Sequence, residues 1–329
     1  MEFNLSGFST ENTELETKGP FKVLILGGGP TGLSAALYAA RAELNPVVMT
    51  GMQLGGQVAI THIVENYPGF PEGVEGPKLT ELFREQAERF GAVLEYDTAV
   101  EVDFSERPFR VKGYNAEYLA ESVIIATGAN PRYLQVPGEQ ELTGRGVSYC
   151  GTCDGWFFKG KDVVVVGGGD SAIEEGLFLT RYATSVTVIH RRDELRAGAI
   201  LQRRAFANPK MKFIWDTVVK EVKGEDKVNG VVLENIKTGE TYEHETDGVF
   251  IFIGHIPNTQ MFEGVLDMED GTLDVNRRME TKIPGVFAAG EAADNHFKQV
   301  ITSAGMGAAA AMQANKWLEE VQDDEAVTA

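Results

Sequence analysis

Only two of the 329 residues are cysteine and five are histidine. With no third cysteine, neither a four-sulfur zinc site nor a disulfide framework is available. A mixed zinc site would have to draw on His190 and His244, the histidines of the same middle section, and neither stands at finger-like spacing. No metal is therefore expected. Positive charge is also short: 30 Lys and Arg against 49 Asp and Glu leave a net charge of −19, a field that repels both nucleic acid and anionic membrane surfaces. Long apolar runs are missing too. The apolar stretches are of strand length, and the alanine-rich run near the C-terminus is broken by Gly305 and Gly307, so no membrane span is expected. The first residues, with Glu2, Glu11, Glu14 and Glu16, lack the basic and apolar regions of a signal peptide. Together these absences lead to the expectation of a soluble cytoplasmic protein.

What is present is concentrated. The two cysteines stand as Cys150-Gly151-Thr152-Cys153 with Asp154 directly after them, and such a pair can close a short disulfide ring or open to two thiols, carrying two electrons. The competing reading is two ordinary buried thiols. The length suits two domains with full cores. Residues 1–20, polar and acidic and ending in Gly19-Pro20, read as a loose leader, and Asp323-Asp324-Glu325 as a frayed tail.

Two glycine-rich turns flank the cysteines. The buried-strand pattern Phe21 to Leu26 runs into Gly27-Gly28-Gly29-Pro30-Thr31-Gly32 and a helical stretch from Leu33 to Ala42. Gly27, Gly29 and Gly32 fit the dinucleotide fingerprint: the first makes the turn, the second admits pyrophosphate to the backbone, and the third lets the helix pack closely. The strand that follows, 46–50, ends without an acidic residue for a ribose hydroxyl. The second copy runs from Asp162-Val163-Val164-Val165-Val166 into Gly167-Gly168-Gly169-Asp170-Ser171-Ala172, then a helix from about Ile173 to Tyr182. Ala172 replaces the third glycine, a small residue being enough for helix packing. The next strand, 185–189, ends at His190-Arg191-Arg192-Asp193-Glu194-Leu195-Arg196. An acidic residue there would suit NAD, whereas Arg191, Arg192 and Arg196 suit the 2′-phosphate of NADP; the competing reading is a solvated basic turn. Hydride donation by NADPH and disulfide reduction through thiolates call for an intermediate carrier, so FAD is expected at the first site.

With these residues in place the chain resembles the low-molecular-weight, bacterial-type thioredoxin reductases. The likeness covers about residues 20 to 320 and rests on Gly27 to Gly32, Gly55-Gly56-Gln57, Glu65-Asn66-Tyr67-Pro68-Gly69, Ala126-Thr127-Gly128, Cys150 to Asp154, Gly167 to Glu175, His190 to Arg196, Gly254-His255, Pro257-Asn258-Thr259, and Gln299 through Gly305. It implies an α/β chain of two Rossmann-like domains, one inserted in the other: a discontinuous FAD domain, 1–130 and 261–329, and an NADP domain, 131–260, carrying the dithiol. The strand-like run Val286 to Gly290 agrees with such a return.

The resemblance also implies residue roles. Gly27, Gly29, Pro30, Thr31, Gly32, Gly55, Gln57, Asn66, Ala126, Thr127, Gly128, Gly290, Glu291, Gln299 and Val300 would meet FAD. Gly167, Gly169, Asp170, Ser171, Ala172, His190, Arg191, Arg192 and Arg196 would meet NADPH. Glu291 stands where the family usually has aspartate, and Lys298 where it commonly has arginine. Cys153 would lie against the flavin, Cys150 would attack thioredoxin, and Asp154 would move the protons; for Asp154 the competing role is a helix N-cap. The helix opening at Gln299 would point its N-terminus at the flavin. Rotation of the inserted domain about hinges near 129–133 and 258–263, flanked by Pro131 and Pro257, and a homodimer are implied by the likeness alone. Trp156-Phe157-Phe158 reads as an apolar core segment, with a docking surface for thioredoxin as the alternative. Two other functions compete, a flavin dithiol oxidase and a nucleotide-responsive redox sensor. Neither the oxidase nor a ferredoxin-dependent relative needs the arginines, and a peroxiredoxin-reductase flavoprotein normally carries a thioredoxin-like domain for which the chain has no room.

Overall fold

The computed structural model describes residues 15–61 and 63–328, with side chains described as far as residue 323. Residues 1–14 of the expected leader lie outside the described residues. Its last part corrects the expectation, because the first strand already begins at Glu16 and runs to Leu26. Glu16, Thr17 and Lys18 pair in parallel with Ala116, Glu117 and Tyr118, and the register shifts between Lys18 and Phe21, across Gly19-Pro20. Lys18 is tied down further by an ion pair to Glu95 at 2.9 Å. Polar sequence forms a strand here because a distant partner offers an edge.

The described residues hold six α-helices: α1 (Pro30–Arg41), α2 (Gly76–Arg89), the short α3 (Gly151–Asp154), α4 (Asp170–Leu179), α5 (Ala199–Ala207) and α6 (Val300–Thr328). The acidic residues 323–325 are thus the end of a helix rather than a frayed tail. No described helix is long and apolar enough to cross a membrane.

The chain divides into two compact units, one of residues 1–59, 78–128 and 257–329, the other of residues 60–77 and 129–256. Each is Rossmann-like, and the chain leaves the first to build the second and then returns. The first is centred on a seven-stranded sheet in the spatial order 93–95, 47–49, 16–26, 116–125, 109–113, 99–103, with 286–288 also on 116–125. The strands 93–95, 47–49, 16–26, 116–125 and 286–288 pair in parallel, and 116–125, 109–113 and 99–103 continue as an antiparallel meander. Its first strand is apolar at consecutive positions because both faces are covered. Leu24 and Leu26 join the core that contains Phe104, Phe109 and Phe262. Val23 and Ile25 face the other way, into a core built from Ala35, Ala36, Ala39 and Ala40 of α1 and Ala310, Ala311 and Ala314 of α6.

The second unit repeats the logic. Its five strands, in the order 147–148, 248–251, 162–166, 185–189, 211–214, are all parallel. Val163 and Val165 pack with Ile173 and Leu179 of α4, while Val164 and Val166 pack with Val219, Val231 and Leu233 of the antiparallel sheet 217–224, 228–235, 241–245. The strands 129–131 and 255–257 pair, next to two of the four points where the chain passes from one unit to the other.

Candidate active site

Both fingerprint turns form, and they form alike. Gly27 and Gly167 stand at φ +123° and +143°, a region closed to side chains. A Cβ at Gly27 would collide with the Ala126 carbonyl, and one at Gly167 with the Phe252 carbonyl. Gly29 and Gly169 are the N-caps of α1 and α4, and Pro30 takes the first turn of α1, where its missing N–H costs nothing. The third position differs. A Cβ at Gly32 would run into the Gly27 carbonyl, whereas the Ala172 side chain is accommodated against Gly167 and is fully buried.

Around the first turn the sequence candidates converge. The Gly55 N–H donates to the Gly28 carbonyl at 2.8 Å, which lays the 55–57 turn, with half-buried Gln57, over the fingerprint. Gly290, at φ +66°, lacks the Cβ that would strike Thr31 Oγ1. Ala126 donates its N–H to the Leu26 carbonyl at 2.8 Å, and Asn258 fixes the next two residues, donating its N–H to Gly128 O at 2.9 Å and Nδ2 to Thr127 O at 3.0 Å. Thr127 Oγ1 is buried with no hydrogen-bond partner. A polar atom so placed is costly unless a ligand meets it. Asn66 lies on the loop between the paired strands 63–64 and 74–75, in the segment that sorts with the second unit.

Glu291 sits half-buried in the turn 290–292. Burial pushes its carboxyl up to about 7, with Asp294 pushing the same way and Lys298 pulling back. Asp294 accepts the N–H groups of His296 at 2.8 Å, Phe297 at 3.0 Å and Lys298 at 3.3 Å, shaping the loop that leads into α6. There Gln299 O accepts the Ser303 N–H at 2.9 Å, and Val300 opens the helix.

The second turn and the arginine loop are brought together. Arg196 and Ala197 both donate N–H to Gly168 O, at 2.7 and 3.2 Å, and Asp170 accepts the Gly198 N–H at 2.7 Å. Asp170 is therefore a clamp on this loop, while Ser171 is exposed in the first turn of α4. His190 is buried, and its ring occupies the space a Cβ at Gly168 would need. Burial first, then the charges of Arg196, Arg192 and Arg191, hold the imidazole below its usual range, and Nε2 has no partner. The three arginines are exposed and join none of the ion pairs among the described residues. In so acidic a chain, guanidinium groups free of ion pairs beside a helix N-terminus are chemically suited to hold an anion. The loop is braced instead by Lys237, which pairs with Asp193 at 3.0 Å and Asp216 at 2.9 Å.

Cys150 and Cys153 form a disulfide, with Cα atoms 5.3 Å apart, at the start of α3. Cys150 is itself the N-cap, its Sγ accepting the Cys153 N–H at 3.1 Å. Asp154 is the last residue of α3 and stands at the N-cap position of the single turn Gly155–Phe158, but its side chain makes no capping bond there. Its Oδ2 accepts from Ser148 Oγ at 2.6 Å, and the same Oγ accepts the Cys150 N–H at 3.1 Å, so one hydroxyl joins the carboxylate to the first cysteine. Ser148 was not among the sequence candidates, and a serine at a strand end carries no motif that would reveal it. The segment after the disulfide is not a core segment throughout: Phe158 is buried, but Trp156 and Phe157 are 53% and 38% exposed.

Two fingerprint turns in Rossmann-like units and a disulfide beside one of them define a flavin- and nucleotide-type disulfide oxidoreductase scaffold. The chain belongs to the pyridine nucleotide-disulphide oxidoreductase family, whose model matches residues 21–307. It is 50% identical over 305 residues to the thioredoxin reductase of Rickettsia felis, covering 91% of this chain and 98% of the relative. With the thioredoxin reductase of Bacillus subtilis it shares 48% identity over 305 residues, covering 92% and 96%. The crystal structure of thioredoxin reductase from Streptococcus pyogenes matches with a TM-score of 0.88 at 45% identity, covering 91% of this chain and 98% of that one. Within the family the chain stands among the thioredoxin reductases.

Proposed function

We propose that the chain is an NADPH-dependent thioredoxin-disulfide reductase. The observation that carries this reading is the redox disulfide in the same unit as a fingerprint turn faced by three unpaired arginines. NADPH gives up a hydride, which carries two electrons and one proton, and leaves as NADP+; with a second proton from solvent the disulfide of thioredoxin becomes two thiols. FAD, when bound, supplies the two-electron relay between hydride and disulfide.

The residues divide that work. The turn 27–32 and the amides opening α1 hold the FAD pyrophosphate, with Gly55, Gln57, Asn66, Ala126, Thr127, Gly128, Gly290, Glu291, Gln299 and Val300 as its further contacts; the partnerless Thr127 hydroxyl supports a polar ligand there. The turn 167–172 holds the NADPH pyrophosphate, and Arg191, Arg192 and Arg196, beside His190, take the 2′-phosphate. Reduction leaves Cys150 and Cys153 as thiols. Cys150 attacks thioredoxin's disulfide, releasing one of its sulfurs, and Cys153 resolves the mixed disulfide. Asp154, held by Ser148, delivers and recovers protons. Trp156 and Phe157, exposed beside α3, are offered as part of the surface that meets thioredoxin. A homodimer acting in the cytoplasm completes the proposal and rests on the family likeness.

Steady-state reduction of a cognate thioredoxin with NADPH against NADH is the test. The expected result is strong preference for NADPH, lost in the Arg191→Ala, Arg192→Ala double variant. Equal use of both nucleotides, or oxygen-dependent closure of small dithiols in place of thioredoxin reduction, would sink it.

A further inference from the structure

The Cys-x-x-Cys turn is held from outside by a carboxylate. Glu175, half-buried on α4, accepts the Thr152 N–H at 3.0 Å through Oε2 and receives the Thr152 hydroxyl at 3.4 Å on Oε1. A Cβ at Gly151 would collide with the same Oε2. The two residues between the cysteines are thus both fitted to one side chain. Among the described residues no cation pairs with Glu175. Burial pushes its carboxyl up and the Thr152 and Gly151 N–H groups pull it back.

We propose that Glu175 is a positioning residue of the dithiol: it keeps the turn at disulfide spacing after reduction, and its charge holds back thiolate formation at Cys150. When the S–S bond breaks, two electrons and two protons enter and the covalent tie between the sulfurs is gone. Non-covalent ties then keep the cysteines together, and the charge-assisted Glu175 bond is among the stronger ones. A negative charge next to the turn also disfavours a second one on sulfur. Glu174 lies close enough to Glu175 on α4 to push its carboxyl up, and Asp154 of α3 reaches the Cys150 N–H through the Ser148 hydroxyl, so acidic groups approach the turn from both helices. A thiol held back in this way stays protonated until thioredoxin arrives, which limits idle reaction with other oxidants.

The inference rests on the reading that the pair cycles between disulfide and dithiol. Its test uses neither NADPH nor thioredoxin, so a failure of the proposed activity would show separately. Full-length protein is reduced with dithiothreitol, freed of it, and alkylated with iodoacetamide across pH, with Cys150 modification read by mass spectrometry. Glu175→Gln keeps volume and an acceptor oxygen but removes the charge. Its alkylation profile is expected to move to lower pH by roughly 0.5–1 unit, whereas a purely structural role would slow re-closure of the disulfide and leave the profile in place. A profile superimposable on that of the unchanged protein overturns the proposal. Should E175Q fail to fold, hydrogen exchange of the Thr152 amide in the reduced, unsubstituted protein decides: slow exchange is expected, and exchange as fast as in an unstructured peptide overturns it.

Discussion

The hydroxyl of Ser148 stands between the Cys150 amide and the Asp154 carboxylate, the pair proposed above as attacking thiol and proton carrier. Asp154→Asn is expected to lower turnover by about 10²-fold, the scale of a lost general acid–base group. Ser148→Ala is expected to cost about 5-fold, the worth of one hydrogen bond of ~1 kcal/mol; both are read from steady-state thioredoxin reduction. Glu291 makes a different prediction. Its folded carboxyl titrates at about 7, above the unfolded range, so the folded state binds the extra proton. The stability it contributes is complete below about pH 4.3 and is lost as pH rises through 7. Flavin-free protein should therefore lose melting temperature over that window, and Glu291→Gln should flatten the loss; identical pH curves would refute it. The Cys150–Cys153 disulfide was legible in the sequence because the two cysteines stand three positions apart. Glu175 was legible only as part of a helix, since its partner is 23 residues away and only the fold brings the two together.

Among the elements, the apolar strands and glycine turns were readable because each signal is local: consecutive valines mean two covered faces, and a glycine before a helix means a close approach. The 16–20 strand was not, because its polar residues are ordered by a partner 100 positions on. The helix end at 323–328 was missed for a related reason: acidic composition alone says nothing of continuation, while the Lys316–Glu320 pair one turn apart supports it. The α1 and α6 helices meet at glycine. A Cβ at Gly307 would collide with the Thr31 carbonyl, so Gly307→Ala must part the two helices. The expected cost is about 1–3 kcal/mol, or roughly 2–10 °C in Tm, read by thermal melting. An unchanged Tm would mean that the helices can slide apart without loss.

For the molecule as a whole, two units with separate cores predict that a ligand can act on one of them. Adding 2′,5′-ADP at about 100 times its Kd should stabilise the unit with the arginine loop by ~2.7 kcal/mol, visible in calorimetry as one component moving while the other stays. The two-unit plan itself was readable from the repeated fingerprint, but the grouping of 60–77 with the second unit was not, since no composition change marks it. One feature of that plan bears on how the chain is made. Strand 286–288 adds to the central sheet beside 116–125, and α6 supplies Ala310, Ala311 and Ala314 to a core begun by α1. The first unit is thus incomplete until nearly the whole chain has left the ribosome, whereas the second lacks nothing after residue 256. The expected consequence is that the second unit can fold before the first has its full core, so removal of α6 should leave the first unit open to proteolysis while the second stays protected, read by limited proteolysis.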